Sequence, residues 1–416
     1  METVFLSRVI FLSDKKAFIH AYKRLKALVL FKPRPDSLSF HNAIFFRYSF
    51  YLCRAMEHLR KKLAERENLN ALRALPAINA HLIDFCSNDY LGLSRKPPTH
   101  KQLPSGATGS RLLSGNHPIH EQAENLIAQH HSAESALLFN SGYVANIGLI
   151  DAITNRNHII LYDELVHASI RDGLRLSLAK SHSFKHNQVN DLTKKLAQFP
   201  EQQKWVITES VFSMDGDEAP LKAISEICQH HQTPLIVDEA HAIGVFGKNG
   251  SGLVNELGLC DEIFARVITF GKALGAHGAA ILGSQLLKNY LINFCRSFIY
   301  TTALPPSGIA HLMSCYNYLN DSDAQNQLQA NINLFKQLIN VKGQLISSRS
   351  AIQSIIFPGN EFVKKVAKQI TEAGFDVKAI LSPTVPKGKE RIRICLHSFN
   401  TPEQINLLTQ LLHKIE

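Results

Sequence analysis

From about residue 135 onward, short runs rich in apolar and β-branched residues alternate with stretches whose apolar positions recur every three to four residues. Continuous apolar runs of this length fit strands buried on both faces, and the longer periodic stretches fit amphipathic helices. Seven strands are predicted, over 136–140, 158–163, 182–186, 204–209, 234–238, 266–270 and 279–283. Helical spacing between or before them falls at 121–130, 170–178, 189–198 and 221–230. This alternation predicts an α/β fold, a seven-stranded mostly parallel sheet covered by helices.

The sheet and its helices predict a large domain over 95–304. Pro305 and Pro306 interrupt the pattern. Beyond them, helices and strands near 354–357 and 391–396 predict a smaller α+β C-terminal domain over 305–416. Ahead of the large domain, Met56-Glu-His-Leu-Arg-Lys-Lys-Leu opens a helical pattern, and 56–94 reads as an N-terminal arm.

Composition changes this picture at one end only. The chain carries +10, which raises a nucleic-acid partner as a question. Residues 1–55 hold ten Lys or Arg against three acids, so they supply +7 of that charge and the remaining chain needs no acidic partner. That leading segment has three readings: a targeting peptide, an interfacial helix, or upstream sequence translated from an early start codon, which is the one expected. No apolar run reaches the roughly 18 residues of a membrane span. The seven cysteines are scattered, odd in number and at no metal-ligand spacing. A cytoplasmic protein with reduced thiols is expected, with no metal, no membrane and no nucleic acid.

In open α/β sheets, ligands sit outside the carboxyl ends of the strands. Three predicted strands end in chemistry: Glu209, Asp238-Glu239-Ala240-His241, and Gly271-Lys272. A lysine flanked by Gly271, Ala273, Leu274 and Gly275 can be held desolvated, which lowers its pKa and makes the amine a nucleophile toward an aldehyde. Taken alone, such a lysine is more often a solvated loop residue, and Asp238 reads as well as a helix cap. Together they match what pyridoxal phosphate (PLP) uses, a Schiff-base lysine and a carboxylate beside the pyridinium nitrogen.

The motifs Asp238-Glu239-Ala240-His241-Ala242-Ile243-Gly244 and Thr269-Phe270-Gly271-Lys272-Ala273-Leu274-Gly275 resemble the α-oxoamine synthase family of fold-type I PLP-dependent transferases. Further matches are Ser87-Asn88-Asp89-Tyr90, Asn140-Ser141-Gly142-Tyr143-Val144-Ala145-Asn146 and Phe212-Ser213-Met214-Asp215-Gly216-Asp217, and the resemblance runs in order over about 56–416. The wording is most similar to the branch that condenses L-alanine with a pimeloyl thioester, on acyl carrier protein or coenzyme A, to make 8-amino-7-oxononanoate for biotin.

The resemblance implies that Lys272 carries the cofactor and later moves the α-proton, and that Asp238 pairs with the pyridinium nitrogen. It further implies that His241 meets the phenolic oxygen with Ser213 nearby, and that His167 stacks on the ring. Backbone N–H groups at Gly142 and Tyr143 start a helix and suit a phosphate, with Thr269 adding a hydroxyl. Thr301 or Thr302 would reach the phosphate of a neighbouring subunit, which implies a homodimer. Arg393 would grip the amino-acid carboxylate, a task suited to its planar fork, with Asn88 assisting and Glu209 near the substrate.

Two features depart from the family's usual wording. The stretch from Gly92 to Ser114 is short, and Leu381 stands where many relatives carry Arg, so acyl recognition is the exposed property. Sister reactions therefore stay open: glycine with acetyl- or succinyl-coenzyme A, or serine with a long acyl thioester. A catalytically silent partner subunit is the other reading, against which Lys272, Asp238, His241 and His167 together speak.

Overall fold

The structure is a computed structural model that describes residues 56–75, 81–96 and 103–415. The readings of residues 1–55 lie outside the described residues, as do positions 97–102 of the short stretch. Two units divide the chain, Met1–Ala74 and Leu75–Glu416. In the first, residues 56–68 form a helix, as the pattern opening at Met56 predicts.

In the second unit, strand β1 (Ile83–Asp84) precedes the seven strands of the main sheet. These are β2 (Ser135–Phe139), β3 (Ile159–Asp163), β4 (Lys180–Phe184), β5 (Lys204–Glu209), β6 (Leu235–Asp238), β7 (Ala265–Thr269) and β8 (Ala279–Gly283), in the order β2-β8-β7-β6-β5-β3-β4. All seven predicted runs form strands. Only β8 runs antiparallel to its neighbours, so the sheet is mostly parallel, as expected.

Alternate side chains feed two cores. Val206, Val237 and Ile268 face one side, where helices α1 (Pro118–His130), α4 (Val189–Ala197) and α5 (Leu221–His230) pack. Ile207, Ile236 and Val267 face the other, under α2 (Gly142–Ile153) and α3 (Ala168–Leu176). Each such side chain, fully buried, contributes about 1.5–3 kcal/mol. Burial on both faces is why the inner strands read as unbroken apolar runs rather than as alternating ones, whereas the edge strand β4 is mostly exposed and polar.

The C-terminal strands are β9 (Gln344–Leu345), β10 (Ile352–Ile356), β11 (Phe375–Asp376), β12 (Lys378–Ile380) and β13 (Arg391–Cys395). They form an antiparallel sheet β12-β13-β10-β9, while β1 pairs with β11. The Cys395 N–H donates to the Phe85 carbonyl at 2.8 Å and the Ser398 N–H to the Tyr90 carbonyl at 2.8 Å. Residues 83–90, early in the chain, are thereby fastened along the C-terminal layer. Leu381 is half-buried against the core.

Among the described residues, no helix is long and apolar enough to cross a membrane, and no three His, Cys, Asp or Glu side chains group as metal ligands.

Candidate active site

One cavity of about 260 Å³ lies where the strand ends converge, and Asn88, Gly142, Tyr143, His167, Glu209, Asp238, Thr269 and Lys272 all line it. Lys272 sits in a tight loop after β7, closed by Ala276 N–H to the Phe270 carbonyl (2.8 Å) and Phe270 N–H to the Gly278 carbonyl (2.9 Å). Gly275 makes that loop possible. Its φ is +57°, and a Cβ there would lie 2.0 Å from the Ser94 backbone nitrogen.

The Lys272 amine is buried beside His241, with Nζ 2.8 Å from Nε2. Burial lowers its pKa to about 8 against the opposing charges of Asp238 and Glu209. The same burial, with Lys272 and Arg393 near, pushes His241 well below the ordinary histidine range. Nδ1 of His241 meets the Tyr90 hydroxyl at 2.8 Å, and that hydroxyl donates to Asn88 Oδ1 at 3.1 Å.

Asp238 ends β6. Its Oδ1 accepts the Ala240 N–H at 2.9 Å and its Oδ2 the Asn146 amide at 2.7 Å, which leaves lone pairs for a further donor. Asn146 comes from α2 and also reaches Ser169 Oγ at 3.0 Å. His167 caps α3: its Nδ1 accepts the Ser169 N–H at 3.2 Å, so the proton sits on Nε2. Burial and the Lys272 charge lower its pKa, against Asp238. Glu209 is buried, accepts the His167 backbone N–H, and has its carboxyl pushed well up by burial and by Asp238.

At the start of α2, Ser141 caps the helix by accepting the Val144 N–H at 3.3 Å, and Gly142 and Tyr143 occupy its first positions. A Cβ on Gly142 would meet Thr269 Cγ2 at 2.3 Å, so only glycine lets the helix start lie against β7. Thr269 Oγ1 is buried beside it with no hydrogen-bond partner. An unpaired buried hydroxyl next to free helix N–H groups is what an anionic oxygen would satisfy.

The aminotransferase class I and II family matches residues 80–412. The chain belongs to that family. The 8-amino-7-oxononanoate synthase of Emericella nidulans is 40% identical over 390 residues, spanning 85% of this chain and 94% of its own. The solved 8-amino-7-oxononanoate synthase of Francisella tularensis is similar with a TM-score of 0.69 and 31% identity, over 81% of this chain and 98% of that one. A serine palmitoyltransferase variant from S. paucimobilis with bound PLP and myriocin gives 0.79 and 27%, over 86% and 97%.

Pyridoxal phosphate is the cofactor that the residues of this aminotransferase-family chain fit. Thr269 and the α2 start suit its phosphate, Asp238 its ring nitrogen, Lys272 its aldehyde and His167 its ring face. Four of the expected residues lie off the lining, as does His241, which reaches the site through Lys272. The Ser213 carbonyl accepts Arg393 Nε at 2.7 Å, and Arg393 meets the lining through Asn88 Oδ1 at 2.9 Å. Thr301 and Thr302 sit at Asn140, whose amide donates to the Thr302 carbonyl at 2.9 Å.

Sequence reasoning overlooked Tyr90, Asn146, Ser169 and His277. Tyr90 and Asn146 stood inside the quoted motifs, but their partners lie 151 and 92 residues away, and only folding joins them.

Proposed function

We propose that this chain catalyses the decarboxylative condensation of L-alanine with a pimeloyl thioester, giving 8-amino-7-oxononanoate, carbon dioxide and the free thiol. The observation that carries the chemistry is the Lys272 amine, held by His241 in the cavity that Asp238 also lines. The substrate assignment is supported by the synthases to which the chain is similar over most of its length.

Bound PLP supplies an electron sink for the negative charge that develops at the amino-acid α-carbon. Around it, Arg393 binds and orients the carboxylate. Its fork is positioned by the Ser213 carbonyl on Nε and by Asn88 and Cys395 on the terminal nitrogens, with the Tyr90 hydroxyl beside it. Lys272, whose pKa of about 8 lies near physiological pH, takes and returns the α-proton. Glu209, its carboxyl pushed well up by burial and by Asp238, lines the cavity beside the substrate and assists the acyl-transfer step. His167 covers the cofactor ring and limits water.

A homodimer in the cytoplasm is part of this reading, with Thr301 or Thr302 of each subunit reaching the partner's phosphate. A serine-using reaction is the second reading, favoured by the higher TM-score to serine palmitoyltransferase.

The test supplies the PLP-loaded protein with pimeloyl-coenzyme A and, separately, L-alanine, glycine or L-serine, and measures carbon dioxide and amino ketone. Turnover with alanine and its loss in Lys272→Ala support the proposal. Turnover with serine or glycine alone would move the chain to a sister reaction, and an active Lys272→Ala would sink the mechanism.

A further inference from the structure

We propose that His186, clamped between Asp163 and Asp217, is a positioning residue for amino-acid recognition, because it holds the 212–217 loop whose Ser213 carbonyl orients Arg393. This rests on the reading of Arg393 as the carboxylate-binding group.

Asp163 ends β3 and His186 follows β4, so the parallel pairing of these strands brings them together. His186 Nδ1 lies 3.0 Å from Asp163 Oδ1 and Nε2 lies 2.8 Å from Asp217 Oδ2. Both nitrogens face carboxylate oxygens, and an imidazole donates from both only as the cation. Asn187, at a left-handed φ of 55°, adds its N–H to Asp163 Oδ2 (2.8 Å) and its amide to Asp217 Oδ2 (2.9 Å). The His186 ring also stands edge-on to buried Phe212, at 4.5 Å and 90°. The two carboxylates hold the ring's pKa up, to about 10, against its burial.

The loop so gripped is short and closed. The Phe212 N–H donates to the Asp217 carbonyl at 3.0 Å, and the Gly216 N–H to the Phe212 carbonyl at 2.8 Å. On its far side the C-terminal sheet takes hold: Ser354 Oγ donates to the Met214 carbonyl at 2.7 Å, Arg391 pairs with Asp215, and Arg393 Nε donates to the Ser213 carbonyl. A guanidinium is planar, so fixing Nε on Ser213 and one terminal nitrogen on Asn88 sets where its remaining donors point. His186 anchors the loop from the large sheet, and Ser213 passes that position to Arg393.

His186→Gln and Asp217→Asn in the PLP-loaded protein test the clamp. Three quantities are read: affinity for L-alanine, glycine and L-serine by spectral titration, kcat at saturating amino acid, and hydrogen exchange of residues 212–217. The clamp predicts about tenfold weaker amino-acid binding, kcat within about twofold, and faster loop exchange. Faster exchange with unchanged affinity would reduce His186 to a structural role and overturn the proposal, as would a fall in kcat at unchanged affinity. Asp217→Asn carries the test if His186→Gln does not fold. Wild-type binding of glycine or serine in place of alanine would sink only the substrate assignment, and the clamp is then read with that amino acid. If the wild type binds none of the three, the reading of Arg393 and the clamp fall together.

Discussion

His241 Nε2 stands 2.8 Å from Lys272 Nζ. Because the Tyr90 hydroxyl donates to Asn88, Nδ1–H of His241 is assigned as donor to the Tyr90 oxygen, and the bare Nε2 accepts from the lysine. A neutral histidine in that place holds the amine without adding charge, in keeping with its depressed pKa.

Lys272 should therefore react as an amine of pKa about 8. Only its neutral form attacks an aldehyde, so the rate at which cofactor-free protein acquires the PLP chromophore rises with pH and levels off above about 8. Stopped-flow absorbance from about pH 6 to 10 checks this. A rate still climbing at the top of that range would mean a solvated lysine.

Thr269→Val removes a buried hydroxyl that has no partner. The cofactor-free protein should gain about 1 kcal/mol of stability, since an unsatisfied buried hydroxyl is a cost. PLP affinity should fall together with that gain. Thermal melts without cofactor and PLP titrations measure the two effects, and a parallel loss of both would contradict the phosphate role.

Arg393→Lys keeps the charge and discards the fork. The Lys ammonium cannot hold Ser213 and Asn88 and still present two parallel donors. The KM for the amino acid should rise by about ten- to a hundredfold, with the KM for the thioester nearly unchanged. Steady-state kinetics with each substrate varied in turn separates these.

His186 also predicts a pH signature of stability. Its pKa is raised in the fold to about 10, above the unfolded value of about 6.5. Its contribution is therefore complete below about 6.5 and is lost as pH rises through about 10. Denaturation midpoints of the wild type and His186→Gln should converge over that interval. A constant difference across it would show that the imidazolium is not what stabilises the loop.

The main sheet was legible because every strand but the polar edge strand β4 carries its own apolar run and the helices between them carry their own period. Strand edges shifted by only a residue or two, as at β7, predicted over 266–270 and found as Ala265–Thr269. Lys272, Asp238 and Glu209 were legible for a related reason: in a parallel sheet, whatever follows a strand's carboxyl end faces the ligand. The placing of β1 beside β11 was not legible, because two-residue strands carry too little pattern to name a partner nearly three hundred positions away.

By itself, then, the sequence determined the α/β architecture and the residues at its strand ends, since periodicity and turn chemistry act between near neighbours. Only the tertiary structure decided that Tyr90 meets His241, that Asn146 meets Asp238 and that His186 bridges two acids. Those pairings join distant segments, and they arise when burial brings polar groups together that must then satisfy one another.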